Sequence, residues 1–109
     1  MPHALSEFYF IYTTASNLEE AEHIATSLLE TKLVACANIT PSIISMYWWE
    51  GQIHKSSEAA IVMKTTEKNK NRVIEKIKSL HSYENPAIVA LPIADGSIDY
   101  FKWISQVTF

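Results

Sequence analysis

Residues 35–65 read ACANITPSIISMYWWEGQIHKSSEAAIVMKT, and their pattern decides the fold. Small, β-branched and aromatic residues run from Ala35 to Trp49, and a comparable run returns from Ile53 to Thr65, the composition of two long strands. Between them Glu50-Gly51-Gln52 supplies the turn, glycine being free to take a positive φ. Pro41 and Ser42 interrupt the first strand. Proline cannot donate to a ladder, so this strand is expected to bend, bulge or lie at a sheet edge. The product is a hairpin longer than a chain of this size needs for its own sheet. Tyr47, Trp48, Trp49 and Glu50 are its most unusual cluster. Strand alternation sends Trp48 and Trp49 to opposite faces. One domain can hardly bury both, so one ring is expected against a neighbouring subunit or in a cleft.

Working outward, Phe8–Thr14 is aromatic and β-branched and reads as a buried strand. Ser16 and Asn17 offer caps for a following helix, and Glu19 and Glu20 complement its positive end. Leu18, Ala21, Ile24, Ala25, Leu28 and Leu29 recur at helical spacing. Beyond the hairpin, Thr66 can cap a second helix with Val73, Ile74, Ile77 and Leu80 on its apolar side. Lys68, Lys70, Arg72, Lys76 and Lys78 give that helix a basic, solvated face. Pro86–Ile93 is a short apolar strand. Gly96 and Ser97 introduce a last helix with Asp99 in its first turn and Ile98, Phe101, Ile104 and Val107 as its apolar positions. The order β-α-β-β-α-β-α predicts an α+β fold, a ferredoxin-like sandwich with helices on one sheet face and a C-terminal helix added.

The 109 residues allow one domain, 1–109, with one core. Apolar residues make up 48% of them and glycine occurs twice, which excludes a disordered chain. A net charge of −3 argues against nucleic-acid or membrane binding driven by overall charge. The single cysteine, Cys36, rules out an intrachain disulfide and a CxxC-type zinc site, and it suits a reducing compartment. The N-terminal residues have no basic segment ahead of an apolar run, and no stretch approaches the roughly 18 apolar residues of a membrane span. The expected location is the cytoplasm.

Four strings carry a resemblance: Lys32–Ile53, KLVACANITPSIISMYWWEGQI; 61–66, IVMKTT; 81–93, HSYENPAIVALPI; and 99–103, DYFKW. In this order and spacing they resemble the divalent-cation-tolerance (CutA) family from Tyr9 to Trp103. The chain departs from the family pattern at Ser42, where glycine is common, at Ser82 within the His-Pro-Tyr string, and at Leu80, which replaces the first of a histidine pair. The resemblance implies a tight homotrimer whose long hairpin reaches across to neighbours. It also implies a link to divalent-metal tolerance, with Cu(II) or another divalent cation as the bound ion and no organic cofactor.

Cys36 and His81 are the candidate metal ligands, as soft thiolate and imidazole. A free cysteine at a strand start is ordinarily a small buried hydrophobe, and His81 can equally serve the C-terminal end of the second helix. His54 is expected to face solvent, His3 belongs to the terminus, and Glu19, Glu22 and His23 read as a solvated helix start. Trp48, Trp49, Glu50, Lys64, Tyr83 and Trp103 are the expected cleft or subunit-interface residues. No GxGxxG, GKS/T or Ser-His-Asp arrangement points to an enzyme. The alternative is a small-molecule sensor resembling the trimeric nitrogen-regulatory PII proteins. RNA binding and acylphosphatase-like chemistry rank lower, given the acidic balance and the single arginine, Arg72.

Overall fold

The computed structural model describes residues 7–109, so His3 lies outside the described residues. The elements are β1 (Phe8–Ala15), α1 (Leu18–Glu30), β2 (Cys36–Trp49), β3 (Gln52–Thr66), α2 (Glu67–Leu80), β4 (Ile88–Pro92) and α3 (Ile98–Val107). The strands form one antiparallel sheet in the order β2-β3-β1-β4, the ferredoxin-like arrangement expected from the sequence. Odd-numbered residues of β1 and β3 point to the face that α1 and α2 cover. Ile11, Ile61 and Met63 from the sheet pack there with Ile24, Leu28, Val73 and Ile77 from the helices.

Helix α1 starts as its sequence requires. Asn17 is the N-cap, and its Oδ1 accepts the amide of Glu20 at 2.8 Å. Glu20 reaches back to accept the Ser16 amide and hydroxyl at 2.9 Å each. Thr66 stands at the N-cap of α2, but its hydroxyl does not cap: Oγ1 is buried without a partner. As the last residue of β3, Thr66 is paired with Phe8, and strand pairing fixes where its side chain points. The Glu7 carbonyl takes the first helical amide instead, at 2.9 Å.

The third helix corrects the expectation of helices on one face only. Phe8 and Cys36 point to the face opposite α1 and α2, and α3 packs over them: Phe101 stacks on Phe8 at 4.7 Å, and Tyr100 bonds Cys36. Gly96 permits this approach, because a Cβ there would lie 2.8 Å from the Phe101 ring. Of the expected apolar stripe, Ile104 is buried and Phe101 half-buried, whereas Ile98 and Val107 are exposed.

In the hairpin, Thr40 pairs with Ala60 and Ile43 with Glu58, so β2 carries one extra residue at Pro41–Ser42. This bulge reverses the alternation of β2. The turn is tight: Trp49 pairs with Gln52, and both Glu50 and Gly51 have positive φ, 50° and 77°. Two left-handed residues in a two-residue loop match the strand twist.

Candidate functional site

Reversal at the bulge sorts the hairpin side chains. Ile43, Ser45, Tyr47 and Trp49 join Gln52, His54, Ser56 and Glu58 on the open face, the one turned away from α1 and α2. Ile44, Met46, Trp48 and Ile53 take the other side. Trp48 and Trp49 therefore face opposite ways, and both are exposed in the subunit, so neither enters the core.

Three groups of candidate residues lie along the open face. At the α3 end, Cys36 and Lys64 are cross-strand partners. The half-buried Cys36 Sγ lies 3.3 Å from the Tyr100 hydroxyl, and that hydrogen bond, aided by burial, pushes the phenol up to about 12. Lys64 bonds Asn38 and sits 5.6 Å from the centre of the Phe10 ring. Trp103 tilts against Tyr100 at 5.6 Å.

The second group sits where the hairpin leaves the sheet. Glu58 is buried and accepts the Tyr83 hydroxyl at 2.7 Å. Burial, together with the hydrogen bond and charge of Glu58, pushes the Tyr83 phenol well above its ordinary range. Behind Tyr83 stands His81, whose ring is 0% exposed. Its Nδ1 accepts the Tyr83 amide at 3.1 Å, so Nε2 carries the proton and donates to the Thr14 carbonyl at 2.6 Å. Glu20 accepts the Ser82 amide at 2.7 Å and ties the same loop to α1. Burial works against the Glu20 charge, but the hydrogen bonds from Ser16 and Ser82 outweigh it and hold the carboxyl at about 2.

The third group is the hairpin tip, with Trp49, Glu50 and the Tyr47–His54 stack at 6.0 Å. His54 is exposed, as expected. Glu58 is separated from both Lys64 and Gln52 by six residues of strand, roughly 20 Å at the usual rise. Within one subunit the expected cleft residues thus remain apart, in three places along the open face, with Trp48 on the other side of the hairpin.

Cys36 and His81 are not brought together either. Cys36 is level with Phe10 through Lys64, and His81 bonds Thr14, four residues on and roughly 13 Å along β1. Among the described residues no group of three or more His, Cys, Asp and Glu side chains is arranged to hold a metal ion. Two surface clefts of about 480 and 630 Å³ share Glu7, Phe8 and Ser105 beside α3, and none of the candidate residues lines them. Sequence reasoning missed Glu58. Its signal was a charged residue immediately before the apolar run Ala59–Met63 of a buried strand.

Comparison with known proteins agrees with this architecture. The family model described as CutA1 divalent ion tolerance protein matches residues 9–107. The divalent-cation tolerance protein CutA of Archaeoglobus fulgidus is 47% identical over 97 residues, covering 89% of this chain and 94% of that protein. A solved structure of the periplasmic divalent cation tolerance protein CutA from the same organism superposes with a TM-score of 0.89 at 45% identity, over 92% of this chain and 97% of the other. The stable protein CutA1 of the psychrotrophic bacterium Shewanella sp. SIB1 gives a TM-score of 0.93 at 31% identity, over 96% and 98% of the two chains.

Proposed function

The chain belongs to the CutA1 divalent ion tolerance protein family, and from that premise we propose that it acts as a homotrimeric binding protein for divalent metal, copper foremost, rather than as an enzyme. One observation carries the reading. Ile44, Met46, Trp48 and Ile53 are 75, 68, 73 and 61% exposed, an apolar stripe on one side of the hairpin, flanked by Ser57 and Lys55 opposite Ile44 and Met46. A soluble chain rarely leaves such a face in water. Copies of the same chain cover it in a heterologous contact, which closes into a ring under threefold rotation. The outer edges of β2 and β4, which have no partner strand among the described residues, gain partners by the same step.

In this assembly the hairpin tip of one subunit brings Trp49 and Glu50 to the open face of the next, toward Tyr83 or toward Lys64 and Trp103. The clefts so formed are the binding places. Of the two candidate ligands for copper, Cys36 is the more open, since its thiol has one partner, Tyr100, whereas both ring nitrogens of His81 are engaged by Thr14 and Tyr83. Even an open zinc site uses about three protein ligands. One thiol falls short of that, so the remaining donors come from another copy or from water, and the affinity is weak, about micromolar. The cytoplasm is the proposed location because a lone half-buried thiol keeps its reduced form there. No helix among the described residues is long and apolar enough to cross a membrane.

The test is a calorimetric titration with Cu(II) of the protein lacking residues 1–3, together with Cys36→Ser and His81→Ala. Cys36→Ser is expected to weaken binding about tenfold or more, and His81→Ala to change it little. Undiminished affinity in Cys36→Ser removes Cys36 as a ligand.

A further inference from the structure

Glu58 is a carboxylate that folding buries without a counter-ion. It is 8% exposed, and among the described residues it makes no ion pair; its one side-chain donor is Tyr83. Carboxylates taken out of water are ordinarily paired with a cation, because a phenol alone offsets only part of the lost hydration. Among the described residues no lysine or arginine pairs with it. By strand alternation Lys55 points to the other side of β3. Lys64 shares the face but lies six residues away and is held by Asn38. Arg72 is exposed on α2, across the sheet.

The surroundings suit an organic cation. Tyr83 bonds Glu58 and presents a ring beside it. Tyr47 and Ser56 lie on the same face with their hydroxyls 3.4 Å apart, and Tyr47 stacks on His54. Hydroxyl and carboxylate oxygens flanked by π faces recognise an ammonium group, which takes both hydrogen bonds and ring contacts. Tyr83 is held from behind by His81 and, through Ser82, by Glu20, so the phenol is fixed before any ligand arrives.

We propose that Glu58 is the receptor for an ammonium group from outside the subunit, supplied by a small amine or by a lysine of a second copy of this chain, with Tyr83 as its positioning residue. This rests on the reading of the open hairpin face as a cleft wall. The same chemistry applies to either source, and the experiment separates them.

Butylammonium chloride is titrated into the full chain and into Glu58→Gln by calorimetry, and both proteins are examined by light scattering across a dilution series. If a small amine is the ligand, the wild type binds butylammonium saturably and Glu58→Gln weakens binding tenfold or more, with assembly unchanged. If a lysine of a second copy is the source, Glu58→Gln comes apart at a protein concentration tenfold or more above that of the wild type. Glu58→Gln matching the wild type in both arms overturns the proposal. Should Glu58→Gln fail to fold, Glu58→Asp keeps the charge, shortens its reach and is expected to weaken the same interaction; equality with the wild type again overturns it. A wild type that binds butylammonium as a monomer supports the receptor and removes the trimer, so the two readings fail separately.

Discussion

The β2–β3 hairpin has two halves built on one rule. In the half inside the sheet, from Cys36 to Thr40 opposite Ala60 to Lys64, alternate residues meet α1 and α2, and Ile61 and Met63 are fully buried. In the protruding half, from Ile43 to Trp49 opposite Gln52 to Glu58, the alternation continues as regularly, yet Ile44, Met46, Trp48 and Ile53 are exposed. Strand pairing and period are alike. What differs is the layer beneath: β1 ends at Ala15, opposite Ala59, and the packed body stops with it. Alternation encodes that a face is to be covered, and it leaves open which chain does the covering.

The largest change to this comparison comes from deleting Ser42. Without the extra residue, positions 43–49 swap faces, placing Trp48 on the open side and Tyr47 and Trp49 on the apolar one. The expected outcome is loss of assembly with a steep fall in thermal midpoint, whereas Ser42→Gly keeps the residue count and the oligomer. Scattering and calorimetric melts of both variants check this; an intact oligomer in the deletion would mean the bulge does not set the faces.

Next in size are truncations within the two halves. Ile61→Ala, in the subunit's own core, should cost about 2–5 kcal/mol whatever the protein concentration. Ile53→Ala should instead give a loss that depends on concentration, because that residue is covered only on association. Melts at several protein concentrations distinguish the two, and identical concentration dependence would erase the distinction.

Smaller effects belong to the loop that carries Tyr83. Asn17→Ala should cost about 1 kcal/mol through the lost cap of α1. Glu20 makes a pH-dependent contribution. Its folded value, about 2, lies below the ordinary 4.5, so the contribution is complete above 4.5 and is lost as pH falls toward 2. Acid denaturation of the wild type and Glu20→Gln should therefore converge near the bottom of that window. Curves separated by the same amount from pH 6 to pH 2 would contradict the assignment.

Much of the fold was legible in the sequence because its signals are local. Asn17 with Glu20, the bulge at Pro41–Ser42 and the Glu50-Gly51 turn each act within a few residues. The helices of the core layer follow from their apolar period. The position of α3 was not legible, since its amphipathic stripe does not say which sheet face receives it; that was decided by Phe8 and Cys36, distant in sequence. At the candidate site, Trp48 and Trp49 could be sent to opposite faces, but which went where required the bulge to be counted residue by residue. His81 looked like a ligand because imidazole chemistry is visible in sequence and the partners that occupy its nitrogens, Thr14 and Tyr83, are not. Glu58 was missed because a carboxylate in a strand is ordinarily solvated, and its burial is the work of Tyr83, 25 residues further along.

The central claim is that the apolar face of the protruding half is covered by further copies of the chain. Sedimentation equilibrium at micromolar concentration tests it most directly, on the wild type beside Trp48→Glu. The account predicts three times the chain mass for the wild type and dissociation for Trp48→Glu, with the β-sheet signal retained in both. A wild type that sediments as a monomer, or a Trp48→Glu variant that stays fully trimeric, would contradict it.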